Sequence, residues 1–241
     1  MKNSYMAGGL SAVIVGVLGI AWFAIETIPP RLGFDDTDNP AVMVQFIRSH
    51  PHVFVYSGLT TILVGIFLVV ASTAVGELIS SRSSVLTRRS LTILGLFAAA
   101  FFLVNGAAHI QASGPLLHMA ELRGAWGEGA YLAFQILSQS LLIMALTTLS
   151  LWAVGLSLIG LRTRILPVAL CALGILPAAR IVVGVLGPLN LVPDGLWILG
   201  LISVPGLFLW CLALGVVVLV RSRRAGSEPE PGGRAAVAVQ G

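Results

Sequence analysis

Long stretches without a charged residue alternate along the chain with short segments where charge collects. The charge-free stretches are 3–25, 53–76, 90–120, 129–161, 165–179 and 195–220. A helix rises about 1.5 Å per residue and needs about 20 residues to cross the hydrocarbon layer. Trimmed at turn signals, the pattern predicts helices near 7–28, 52–76, 88–112, 130–160, 165–187 and 195–220. Lipid offers an open strand edge no hydrogen bonds, and the runs lack the alternation of a membrane barrel. The expected fold class is all-α, a polytopic membrane protein with six transmembrane helices. The fourth run is longer than a bilayer requires and should tilt or project beyond it.

Composition agrees with the pattern. Of 241 residues, 57% are hydrophobic and 10% charged, against about 25% charged in soluble domains. A soluble globular fold and a disordered chain are both excluded. The net charge of +4 does not point to nucleic acid, because no basic stripe interleaves with aromatics. Cys171 and Cys211 lie in apolar runs without a C-x-x-C pair, so they read as buried free thiols. The first apolar run is too long for a signal-peptide core, and Ala21 and Ala24 are wrongly spaced for cleavage. It is expected to be an uncleaved first span.

Charge also sorts by side. Lys2, Arg82, Arg88, Arg89, Arg162, Arg164, Arg221, Arg223 and Arg224 share one side of the predicted topology. Loops on the other side hold only Arg31, Arg48 and Arg123, with Asp35, Asp36, Asp38, Glu121, Glu128 and Asp194. The positive-inside rule then places both termini in the cytoplasm, as an even number of spans requires. Thirteen of the fourteen basic residues are arginine, the usage of a GC-rich genome. The expected location is the plasma membrane. Trp22, Trp126, Tyr131 and Trp197 near outer boundaries, and Trp152 and Trp210 toward inner ones, read as interfacial belts.

In the first outer loop, Asn39 followed by Pro40 reads as an N-cap and first helical position. A short helix near 40–49 should follow, with Val42, Met43, Phe46 and Ile47 on an apolar side laid on the membrane surface. The Ser- and Arg-rich segment between the second and third spans suits topology and contact with anionic headgroups. The tail, 222–241, has Pro, Gly and charge without periodicity and should be disordered.

Polar groups inside spans are costly and each needs an explanation. Asn105 and His109 are one turn apart on the third span, and Gln135, Ser138 and Gln139 share a face of the fourth. Glu26 lies in the last turn of the first span, Arg180 about two turns inside the outer end of the fifth, and Asn190 and Asp194 in the short outer loop between the last two. All fall in the outer half, while the inner halves are nearly all apolar. An outward cavity lined by Glu26, Asn105, His109, Gln135, Gln139, Arg180 and Asp194 is one expectation. The alternative is that the neutral groups bond neighbouring helices, at about 0.6 kcal/mol each, while Arg180 snorkels to Glu26 or Asp194.

Other motifs carry less. His50-Pro51-His52 and His109 lack a paired ligand pattern such as H-E-x-x-H, so neither metal nor cofactor is expected. FDDTDNP has the wrong spacing for a diphosphate-binding D-D-x-x-D, and a turn with a helix cap explains it. Pro205-Gly206 and Pro177 should kink the last two spans.

The order of features resembles a known family. The first span contains AVIVGVLGIAW, and the outer loop runs DDTDNPAVMVQFIRSHPHVFVYSGLTTILVGIFLV into the second. The segment RTRILPVALCALGILPAARIVVGVLG precedes a Pro-broken last span. The most specific motifs are A-x-x-x-x-F-I-R-S-H-P-x-x-F in the loop helix and R-x-x-x-x-P before the fifth span. Over roughly residues 7–222, this is similar to the bacterial integral membrane proteins of the domain of unknown function 4386 family. The resemblance implies a six-helix fold and no assigned activity.

Three functions fit. The leading one is a non-enzymatic membrane protein binding a small apolar or amphiphilic ligand in the outer half. A small intramembrane enzyme acting on a lipid or terpenoid, with Glu26, His109 or Asp194 as acid or base, is the second. A transporter or partner subunit is the third, though the apolar inner halves offer no aqueous path. Oligomeric state is not legible.

Overall fold

The computed structural model describes residues 2–28, 39–80, 83–189 and 191–224. The acidic part of the first outer loop, Arg82, Asn190 and the tail beyond Arg224 lie outside them. Among the described residues nine α-helices follow in order: α1 Lys2–Glu26, α2 Pro40–Ser49, α3 Pro51–Leu78, α4 Val85–Ala112, α5 Pro115–Arg123, α6 Ala125–Thr163, α7 Val168–Ile175, α8 Ala178–Leu186 and α9 Asp194–Arg224. There is no strand among the described residues.

Among the described residues six segments are long and apolar enough to cross a membrane: α1, α3, α4, α6, α7 with α8, and α9. They close into a bundle in the cyclic order α1, α3, α4, α6, α7–α8, α9. Each span packs on the next, and α9 returns to α1. Helix directions alternate, so Lys2, Leu78, Val85, Thr163, Val168 and Arg224 share an arginine-rich end. Glu26, Pro51, Ala112 and Asp194 share the opposite, loop-helix end.

The side-chain distribution is that of a chain solvated by lipid. On α3 the large residues Tyr56, Leu59, Ile66 and Val70 are exposed, while Ser57, Gly58, Thr61, Gly65 and Ser72 are buried. Lipid tails are as apolar as leucine, so burying leucine gains little there. Close packing of small residues drives the association instead. Together with six spans of high mean hydropathy, this makes the protein a multi-pass membrane protein.

One element breaks where the sequence predicts a kink, and others differ from the pattern for identifiable reasons. The fifth span divides at Pro177, which cannot donate to the helical ladder, and resumes as α8 with Arg180 N donating to Pro177 O at 2.9 Å. Pro205, by contrast, sits inside a helix that continues from Asp194 to Arg224. An additional helix, α5, forms where a loop was expected. Pro115 occupies its first turn, with glycines at both ends. The fourth span extends to 39 residues, about 58 Å at the standard rise.

The loop helix forms as its cap predicts, with Ala41 N donating to Asn39 Oδ1 at 3.1 Å. Its apolar side, however, is turned mostly to protein. Val42 is exposed, but Met43, Phe46 and Ile47 are buried against Ala112, Tyr131, Leu116 and Phe134. These residues come from the end of α4, from α5 and from the start of α6, so the loop helix caps the bundle.

The aromatics also divide. Trp126 and Trp197 are exposed, as a belt would have them, whereas Trp22, Tyr131, Trp152 and Trp210 are buried. Trp152 and Trp210 meet edge to face at 5.5 Å in the main core.

Candidate functional site

Small residues position the site. On α3, a Cβ added to Gly58 would come within 2.7 Å of Gly106 O on α4. On α4, one added to Gly106 would come within 2.5 Å of Gly58 O. Only glycine at both positions lets the two backbones approach this closely. The adjoining Ser57 and the nearby His109 are thereby brought into contact from facing helices.

Ser57 is the hub. Its hydroxyl lies 2.5 Å from Glu26 Oε1 and 3.2 Å from His109 Nδ1. A serine hydroxyl has one proton and can accept two hydrogen bonds. If that proton goes to the Glu26 carboxylate, Nδ1 of His109 must carry its own hydrogen and donate it. The hydrogen bonds then run from imidazole to hydroxyl to carboxylate, across α4, α3 and α1. His109 Nε2 remains available to accept or donate a proton. The ring also packs on Phe54, at 6.1 Å between centroids. The order differs from a nucleophilic triad, in which the imidazole stands between hydroxyl and carboxylate. Here a hydroxyl joins two ionisable groups, an arrangement suited to binding a polar group or passing a proton.

One turn deeper on the same face, Asn105 is fully buried. Its Nδ2 donates to Ser138 O at 2.8 Å and Ser138 Oγ at 3.0 Å on α6. Its Oδ1 has no hydrogen-bond partner among the described residues.

The structure thus joins Glu26 and His109 through Ser57, with Asn105 below them. It does not place every expected residue inside. Gln135 is half-buried on α6, but Gln139, one turn later, is exposed. The α6 face carrying Ser138 turns toward α4, and Gln139 is rotated off it. Arg180 is buried on α8, which packs on α6 and α9, whereas Glu26 ends α1, which packs on α3 and α9. Arg180 therefore makes no ion pair with Glu26, and its Nε has no partner among the described residues. Asp194 begins α9, and its side chain lies outside what is described.

Ser57 is absent from the sequence-derived set. A lone serine in an apolar span usually bonds its own helix, as Ser72 does to Leu68 O. A usable signal was the pair Ser57-Gly58 facing a second span where Gly106 precedes His109 by three residues. Among the described residues no group of three or more His, Cys, Asp or Glu is placed to hold a metal.

No curated protein and no solved structure matches the chain. A family model does match, over residues 6–221, and it describes a domain of unknown function, DUF4386. The match takes in the loop helix and all of the six apolar spans except the first two residues of the first and the last two of the sixth, and the chain belongs to that family.

Proposed function

We propose that this protein resides in the bacterial plasma membrane, with both termini cytoplasmic, and binds a small apolar or amphiphilic ligand in the outer half of the bundle. The observation that carries the proposal is the Glu26–Ser57–His109 network. Two ionisable groups drawn together in membrane-spanning helices are expensive and need a compensating use. The unpartnered Asn105 Oδ1 and Arg180 Nε supply further polar atoms in the same half. A ligand with a hydroxyl or carbonyl head and an apolar body matches such groups. The arginine bias of the opposite end supports the orientation.

The test is mass spectrometry of material extracted from the full chain purified in mild detergent, alongside Ser57→Ala. A stoichiometric species retained by the wild type and lost from S57A supports the proposal. No bound species, or equal retention by both, overturns it.

The geometry also favours a second reading, an intramembrane enzyme acting on a lipid or terpenoid. An acid one hydroxyl away from an imidazole can hold that ring oriented while Nε2 transfers a proton. On this reading, His109→Gln keeps the bound species but stops its conversion during incubation. A species that is never converted by the wild type removes the reading.

A further inference from the structure

A groove of about 260 Å³ lies far from this network, at the arginine-rich end, between the last turns of α3 and the first turns of α4. Thr73, Gly76, Glu77, Arg88, Arg89 and Thr92 line it. At its wall Gly76 lets the first turns of α4 come close to α3. A Cβ there would run into Thr92 Oγ1, with Arg88 Cγ at 3.9 Å.

The polar groups in the groove divide by role. Arg88 and Arg89 offer guanidinium forks that suit phosphate. Glu77 offers a carboxylate, and among the described residues it pairs with neither arginine. Thr73 Oγ1 already donates to Val69 O and Val70 O, both at 3.0 Å. Thr92 Oγ1 likewise donates to Arg88 O at 3.0 Å. With their protons committed, both threonines can only accept from an occupant. The groove thus combines two cations with three acceptors.

Its depth is that of headgroups. Glu77 lies in the last turn of the span Pro51–Leu78, and the arginines lie in the first turns of the span Val85–Ala112. Ile93, Val69 and Val70 are exposed one to two turns deeper, an apolar path along which acyl chains can lie.

We propose that this groove binds the headgroup of an amine-bearing zwitterionic phospholipid. The phosphate sits on Arg88 and Arg89, and the ammonium donates to Glu77, Thr73 and Thr92. A purely anionic headgroup would set Glu77 against a like charge, and a quaternary amine has no N–H for the three acceptors.

The experiment uses the full chain, delipidated in mild detergent. Thermal unfolding is followed while dioleoyl phosphatidylethanolamine, phosphatidylcholine or phosphatidylglycerol is titrated in, with inorganic phosphate as a separate arm. Phosphatidylethanolamine should raise the melting temperature at a concentration about tenfold below the other two lipids, the scale of one charge-assisted hydrogen bond. Inorganic phosphate should give no shift. Glu77→Gln should remove the preference for the primary amine, and Arg89→Gln should weaken all three lipids. Both side chains are exposed, so neither change disturbs packing. Equal effects of the three lipids, no effect of any, or a preference for phosphatidylglycerol would overturn the proposal. So would an equal shift from inorganic phosphate, or an amine preference that survives E77Q. In any of these cases the network at Ser57 is unaffected.

Discussion

Gly106→Ala tests both the packing of the bundle and the geometry of its polar network. The added methyl would stand 2.5 Å from Gly58 O, 2.8 Å from Ile62 Cγ1 and 2.9 Å from Ile62 N. Two of these three atoms are backbone, so no rotamer change relieves the clash. Reaching an ordinary contact of about 3.4 Å requires α3 and α4 to separate by roughly 0.9 Å. That displacement would carry the 3.2 Å contact between Ser57 and His109 to about 4 Å, beyond hydrogen-bond reach. Overpacking of this kind costs about 1–3 kcal/mol. For a chain of this length that is about 2–4 °C of melting temperature per kcal/mol. The assay is thermal unfolding of the full chain in mild detergent, read by tryptophan fluorescence. Gly206→Ala is the control. A Cβ at Gly206 meets nothing within 4 Å, so alanine there should be neutral or gain up to about 1 kcal/mol of helix propensity. If G106A melts with the wild type, or if both variants fall equally, the close crossing of α3 and α4 is refuted.

Other outcomes follow from the same geometry. Ile47→Ala should cost about 2–5 kcal/mol, since Ile47 is 0% exposed beneath the loop helix; limited proteolysis between α2 and α3 should then accelerate, and unchanged resistance would mean the cap is not packed. Ser138→Ala removes one of the two acceptors of Asn105 Nδ2 and should cost only about 0.6 kcal/mol, the average for hydrogen bonds between membrane helices; a loss several times larger would show the pair anchors α4 to α6 in another way. Arg180→Met should leave the melting temperature unchanged or raise it, because it removes the cost of burying a guanidinium whose Nε has no partner among the described residues; a clear drop would assign Arg180 to stability rather than to ligand binding. Orientation is read with a membrane-impermeant maleimide on intact cells. Leu122→Cys should label at once and Val85→Cys only after permeabilisation, both sites being exposed and the native cysteines buried; the reverse pattern overturns the topology.

Much of this architecture is legible because the bilayer imposes it. A run such as 53–76 has few options beyond a spanning helix, and Asn39-Pro40 marks a helix start whatever follows. The short helix at Pro115 was legible in principle, since it begins with proline and stops before Gly124, but its mixed composition gives no periodic face. What the helices touch was much less legible. Periodicity shows that Met43, Phe46 and Ile47 form an apolar side, yet lipid and protein satisfy such a side equally well. Trp152 and Trp210 fit an interfacial belt by position and are core residues by contact. The polar network shows the same limit. Asn105 and His109 share a face by spacing alone, while the partner Ser57 depends on where two helices cross. That crossing is set by Gly58 and Gly106, residues whose contribution is the absence of a side chain. Arg180 and Glu26 lie in the same half of the bundle but on different helix pairs, a distinction that sequence spacing does not encode.

The 39-residue α6 has a practical consequence. Even at the largest tilt usual for membrane helices, about 40°, a helix of about 58 Å covers roughly 45 Å along the membrane normal, against a hydrocarbon layer of about 30 Å. About 15 Å of it must therefore stand clear of the lipid tails. At the loop-helix end its first turns are braced by α2 and α5 through Tyr131 and Phe134. Such a stub is a rigid mast, and Trp126 on it and Leu122 on the adjoining α5 display accessible side chains. A binding protein raised against that mast would hold a fixed angle to the bundle. It would give a small, otherwise featureless membrane protein the external landmark that particle alignment in electron microscopy needs.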